Sequence, residues 1–122
     1  MNRPLDWERA LENADGSEDL LIELAQVFVE SSPSMMKDVR AAIDQGNAPA
    51  LYLAAHNIKG SARIFAAGAV LEEALRLEEM GADADLGAAN DSWAILNHEV
   101  DQLVIALSER IGHAGAGQKK GM

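Results

Sequence analysis

The apolar positions of this chain recur with a helical period, and small or polar residues interrupt them at short intervals. "PLDWERALENADGS" opens with a short amphipathic helix in which Leu5, Ala10 and Leu11 face a core, and Asp15-Gly16 punctuates it. Ser17 suits an N-cap, with Glu18 and Asp19 at the positive end of the following helix dipole. In "EDLLIELAQVFVESS" the residues Leu20, Leu21, Leu24, Val27 and Phe28 keep close to helical spacing and predict a helix. Pro33 either kinks this helix or begins the next, and its place after Ser31-Ser32 suits a first-turn proline. "SMMKDVRAAIDQG" carries the pattern on through Met35, Met36, Val39 and Ile43, and Gly46-Asn47 ends it.

"APALYLAAHNIKGSARIFAAG" predicts a third long helix and "AVLEEALRLEEMG" a fourth, stopped by Gly81. "ADADLGAANDS" is a loop, with Asp91 or Ser92 as the next cap. "WAILNHEVDQLVIALSERIG" is the last helix, ending at Gly112. "HAGAGQKKGM" reads as a frayed tail that adds nothing to the core. The pattern predicts an all-α fold: an antiparallel up-and-down four-helix bundle with a short extra N-terminal helix, over residues 1–112, and a flexible tail at 113–122.

Composition narrows this further. A chain of 122 residues fits one domain, and a composition that is 48% hydrophobic but only 4% aromatic leans helical. With no cysteine, disulfides, thiolate zinc sites and thiol nucleophiles are excluded. A net charge of −10 argues against nonspecific binding to nucleic acid or to anionic membrane. No N-terminal basic region leads into an apolar run, and no apolar stretch is long enough to span a bilayer, so a cytoplasmic protein is expected.

The candidate chemistry lies in "AHNIKGSA", residues 55–62. At about 100° per residue, Ala55, Ile58, Ala62 and Phe65 all fall within about 40° of Leu51 and form the core stripe with it. His56 falls at about 140° from Leu51, on an outward strip with Lys59, Gly60, Arg63 and Ala67. That position weakens a buried-histidine reading. No second His, Asp or Glu stands one turn away, which weakens a metal reading too. His98-Glu99 begins a zinc-protease-like motif but meets Gln102 where the second histidine belongs, so that motif fails.

Chemistry is what remains. A neutral imidazole is a competent nucleophile toward phosphorus. Lys59 stands where it can screen the charge of a phosphoryl group. A glycine within a helix costs roughly 1 kcal/mol relative to alanine, and Gly60, facing away from the core, lets another molecule's surface come close. No second catalytic group accompanies His56, so the site is half of one. His98 also points outward, but without that context it reads as solvated surface. The acidic run Glu72, Glu73, Glu78, Glu79 reads as a wet helix face.

At this point the chain resembles the histidine-containing phosphotransfer (HPt) domain of bacterial phosphorelays. "AHNIKGSA" matches the family pattern throughout, Phe65 matches its aromatic, and Leu77-Glu78 matches an L-E in the next helix. The N-terminal "LDWERAL" and "DGSEDLLIELAQVFVESSP" resemble its opening helices, so that about residues 5–111 are covered. The resemblance implies a four-helix bundle without kinase activity, which takes a phosphoryl group from a receiver-domain aspartate and passes it to another receiver. It implies His56 as phospho-acceptor on Nε2, Lys59 as the charge-stabilising lysine and Gly60 as the clearance glycine. It implies no intrinsic cofactor, with Mg²⁺ supplied by the receiver, and a monomer. The partners it implies are receiver domains of response regulators and of a hybrid histidine kinase.

Two residues depart from the family: Arg63 and Ala66 stand where many members have a small residue or glycine. Arg63 is expected to act in partner selectivity. Ala67, Met36, Lys37 and Arg40 are further expected partner contacts, the last two adding positive charge near the strip if the second and third helices are neighbours. The alternative function is a helical adaptor that binds a receiver or another signalling protein without carrying phosphate. The start at Met1 and the tail after Ile111 favour a stand-alone chain over a piece of a larger kinase.

Overall fold

The computed structural model describes residues 3–120, with side chains described as far as residue 114. Its five helices are α1 (Trp7–Asn13), α2 (Glu18–Asp44), α3 (Ala48–Ile64), α4 (Gly68–Asp83) and α5 (Ala89–Lys120). Helices α2 to α5 form an antiparallel four-helix bundle in which α2 and α4 each pack on both α3 and α5. Leu21, Leu51, Ile58, Phe65, Leu77, Leu96, Leu103 and Leu107 are fully buried in its core. Burial of each such side chain is worth about 1.5–3 kcal/mol. Phe28 and Phe65 meet edge to face, with ring centroids 5.8 Å apart, and tie α2 to the end of α3.

Local sequence accounts for the helix starts. The side chains of Asp6, Ser17 and Asn47 accept from the backbone N–H of Arg9, Leu20 and Ala50. Pro33 lies inside α2, which runs unbroken through it. Proline removes an N–H that would bond the carbonyl four residues back, and the Ser32 hydroxyl donates to that Val29 carbonyl at 3.2 Å. Along α2 the core side is Leu21, Ala25, Phe28, Ser32, Met36, Val39 and Ile43, whereas Leu20 and Val27 are exposed.

Four helix ends differ from the sequence reading. Helix α3 stops at Ile64, because Ala66 takes a left-handed conformation with φ +50°. Helix α4 passes through Gly81 and ends at Ala84, which is also left-handed, at φ +54°. Helix α5 begins at Ala89, before Asp91 and Ser92, and continues past Gly112 to Lys120. A single glycine weakens a helix by only about 1 kcal/mol, less than packing supplies, so Gly81 and Gly112 do not act as stops. Side chains of the expected tail from residue 115 onward lie outside the described residues.

Left-handed backbone at a residue bearing Cβ costs about 1–2 kcal/mol. Glycine removes that strain and gives part of the gain back through its freer unfolded chain. Ala66→Gly is therefore expected to raise stability by about 1 kcal/mol, read as a higher urea midpoint with an unchanged slope.

Candidate functional site

Helix α3 places Leu51, Ala55, Ile58, Ala62 and Phe65 in the core, as the spacing predicts, and leaves His56 and Gly60 exposed on the opposite side. A Cβ added to Gly60 would meet nothing within 4 Å, so the surface beside His56 is open. The His56 side chain is 54% exposed. Its ring lies nearly parallel to that of Tyr52, one turn earlier, at 13° and 6.1 Å between centroids.

The residue that organises the site comes from α4. Glu78 is buried, with its Oε2 atom 2.8 Å from His56 Nδ1 and its Oε1 atom 2.8 Å from Lys59 Nζ. This corrects the reading of the acidic run as a wet face. Glu72 and Glu79 are exposed, but Glu78 is turned into the α3–α4 seam. Glu73 is buried as well: its Oε1 accepts from Arg76, and its Oε2 has no hydrogen-bond partner among the described residues.

A signal for Glu78 was present in the sequence. Ala74, Glu78 and Gly81 fall within about 60° of one another on the helical wheel. Small residues on one helix face mark a close neighbour, and a carboxylate set among them is aimed at that neighbour. A Cβ added to Gly81 would lie 2.6 Å from the Tyr52 nitrogen, 2.8 Å from the Ala48 carbonyl oxygen and 2.9 Å from the Tyr52 Cα. The helices touch backbone to backbone there. Glu78, three residues back along α4, is thereby brought level with His56, four residues on along α3.

Charge accounts for the protonation state. The Lys59 ammonium, as hydrogen-bond donor, holds the Glu78 carboxyl below its ordinary value of 4.5; burial opposes this and the His56 hydrogen bond adds to it. An ionised carboxylate only accepts hydrogen bonds, so a neutral His56 donates through Nδ1–H. Its Nε2 then carries the free lone pair. No protein group among the described residues bonds that nitrogen.

A depressed folded-state pKa contributes stability that is complete above the unfolded value and is lost as pH falls through the folded one. Glu78→Gln is therefore expected to lower stability at pH values above the ordinary 4.5, where Glu78 is ionised in both the folded and the unfolded chain. Below that the gap to the parent closes as Glu78 itself takes up a proton. Urea unfolding of both proteins across that range checks it.

The other expected partner contacts divide. Arg63 is exposed in the last turn of α3, and its carbonyl, like that of Ile64, accepts from the Asn13 side chain at 3.0 and 3.1 Å. Ala67 is fully buried at the N-cap of α4, which corrects its expected place on the outward strip. The wheel holds only while the helix does, and α3 ends three residues earlier. Met36 is buried rather than displayed. Met36, Lys37 and Arg40 line a groove between α2 and α5 with Trp93 and Val100, and Arg40 sits over the Trp93 ring at 5.2 Å while pairing with Asp44. Helix α2 does neighbour α3, but these residues face α5, so they add no charge beside His56.

Among the described residues, no group of three or more His, Asp or Glu could hold a metal ion. Among the described residues, no helix is long and apolar enough to cross a membrane.

A family model described as the Hpt domain matches residues 23–109. No curated protein matches the chain. The crystal structure of histidine-containing phosphotransfer protein B (HptB) from Pseudomonas aeruginosa PAO1 is similar, with a TM-score of 0.82 at 24% identity, over 89% of this chain and 95% of that one. The HPT domain of the Hpt sensor hybrid histidine kinase from Shewanella is also similar, with a TM-score of 0.79 at 16% identity, over 91% and 96% of the two chains.

Proposed function

Because the chain belongs to the Hpt domain family, phosphocarriers that interact with receiver domains in phosphorelays, we propose that His56 accepts the phosphoryl group from a receiver aspartate and hands it to a second receiver. The observation that carries this reading is the Glu78 contact to Nδ1, which leaves the Nε2 lone pair as the nucleophile on an open surface.

In the proposed step Nε2 attacks phosphorus, an N–P bond forms, and the P–O bond to the aspartyl carboxylate breaks, so that the carboxylate leaves. The imidazole keeps its Nδ1 proton and becomes cationic. Glu78, already bonded to that proton, stabilises the charge as it develops, and because the carboxylate is in place beforehand it costs no rearrangement. Lys59, bonded to the same carboxylate as His56, would exchange one Glu78 oxygen for a phosphoryl oxygen. Gly60 leaves room for the receiver's surface. A receiver would bring the Mg²⁺, which would supply the charge neutralisation at the transferring group that this chain does not provide. The chain lacks a kinase activity of its own, works in the cytoplasm and acts as a monomer. Arg63, exposed on the same strip, selects among receivers: Arg63→Gly changes transfer rates to some receivers more than to others.

The test is incubation with a phosphorylated receiver or a hybrid kinase. Acid-labile, alkali-stable label is expected on this chain. Absence of label with several cognate receivers that nonetheless bind would favour a phosphate-free adaptor.

A further inference from the structure

We infer that Tyr52 is a positioning residue for phosphoryl transfer, holding the His56 imidazole in the orientation that keeps Nδ1 on Glu78 and presents Nε2 outward. This rests on the proposal that His56 is the phospho-acceptor. Tyr52 does not touch the transferring group; it acts through the histidine ring.

Residues four apart on a helix lie one above the other, and side chains lean toward the N-terminus, so His56 leans over Tyr52. The two rings are nearly parallel, at 13°, with centroids 6.1 Å apart, an offset stack. Glu78 holds one edge of the imidazole at 2.8 Å, and Lys59, on the same carboxylate, fixes that oxygen pair in place. On the third side the surface at Gly60 is open, since a Cβ added there would meet nothing within 4 Å. An imidazole tethered at one atom and more than half exposed would swing toward that open side. The Tyr52 ring is the surface that opposes the swing.

The backbone makes Tyr52 suitable for this. Gly81 sits against the Tyr52 nitrogen and Cα, closer than any side chain would allow, so the base of the tyrosine is clamped between two helices. Tyr52 is 39% exposed, more than stability of the core calls for in so large a residue. One clamped contact thereby sets two things together, the reach of Glu78 and the seat of the tyrosine ring.

Tyr52→Leu and Tyr52→Phe separate this from a structural or docking role. Leucine keeps apolar bulk without a flat ring, and phenylalanine keeps the ring without the hydroxyl. Single-turnover transfer from a phosphorylated receiver is measured over a range of receiver concentrations. An aromatic pair of this kind corresponds to roughly three- to tenfold in rate. The expected result is a drop of about that size in the saturating rate for Tyr52→Leu, with half-saturating receiver concentration unchanged and melting temperature within about 5 °C of the parent, and the parent rate in Tyr52→Phe. Nitrogen-15 spectra of the unphosphorylated proteins should show the Nδ1–H tautomer of His56 depleted in Tyr52→Leu alone. An unchanged saturating rate in Tyr52→Leu, or a loss confined to half-saturation, overturns the inference. If the parent chain takes no label at all, the reading of His56 fails first, and the tautomer measurement still decides whether Tyr52 positions the ring.

Discussion

His56→Gln is expected to abolish phosphoryl labelling of this chain while its melting temperature stays within about 3 °C of the parent. Glutamine carries no ring nitrogen able to attack phosphorus, so loss of label should be complete rather than partial. The fold should not notice, because the side chain is 54% exposed and lies opposite the core stripe. The amide N–H₂ of glutamine can still donate to the Glu78 carboxylate. Lys59 remains to neutralise that carboxylate at 2.8 Å, so no buried charge is abandoned. Thermal unfolding followed by circular dichroism, beside the labelling assay, measures both halves. Retained label would move the acceptor to another residue, and a large fall in melting temperature would contradict the exposed position of the histidine.

Gly81→Ala is expected to be the most damaging conservative change in the bundle, at about 2–3 kcal/mol of stability, or roughly 10 °C in melting temperature. Within an isolated helix the same substitution would gain about 1 kcal/mol. The sign reverses here because the new methyl would stand 2.6 Å from the Tyr52 nitrogen and 2.8 Å from the Ala48 carbonyl oxygen. Those are backbone atoms of α3 and have no rotamer to escape into, so α3 and α4 must separate. Separation lengthens the 2.8 Å contacts of Glu78 to His56 and Lys59 one turn away. The mutant should therefore lose transfer rate along with stability. Gly60→Ala is the control: with nothing within 4 Å of its added Cβ, it should be neutral or slightly stabilising in thermal unfolding. Equal effects at the two glycines would show that helix propensity, not interhelical distance, governs Gly81.

Much of the bundle was legible in the sequence. The wheel of α3 sets Leu51, Ala55, Ile58, Ala62 and Phe65 inward and His56 and Gly60 outward, and the structure agrees at these positions, but Lys59, read on the same outward strip, is drawn into the α3–α4 seam with its side chain only 12% exposed. Ser17 reads as a cap and is one. Elsewhere tertiary contact overrides the local pattern. Glycine is weak in helices, so Gly81 reads as a stop, yet it is the point where two helices touch. The wheel puts Ala67 on the outward strip only if the helix runs past Ile64, and Ala66 turns the chain before that. Lys37 and Arg40 read as near His56 if α2 neighbours α3, but adjacency of helices does not say which face a residue presents, and theirs is toward α5.

Glu78 marks the boundary between the two kinds of information. Periodicity within one helix is a local property, and each residue carries it in its own hydrophobicity. The sequence by itself therefore determined the helices, the inward and outward sides of α3 and the histidine held out to solvent. Which nitrogen of that histidine is free, and why Lys59 is held where it is, depend on a carboxylate 22 positions along the chain. Its approach is set by the interhelical distance that Gly81 permits. Distances between helices arise from packing of both surfaces at once, and so only the tertiary structure decided them.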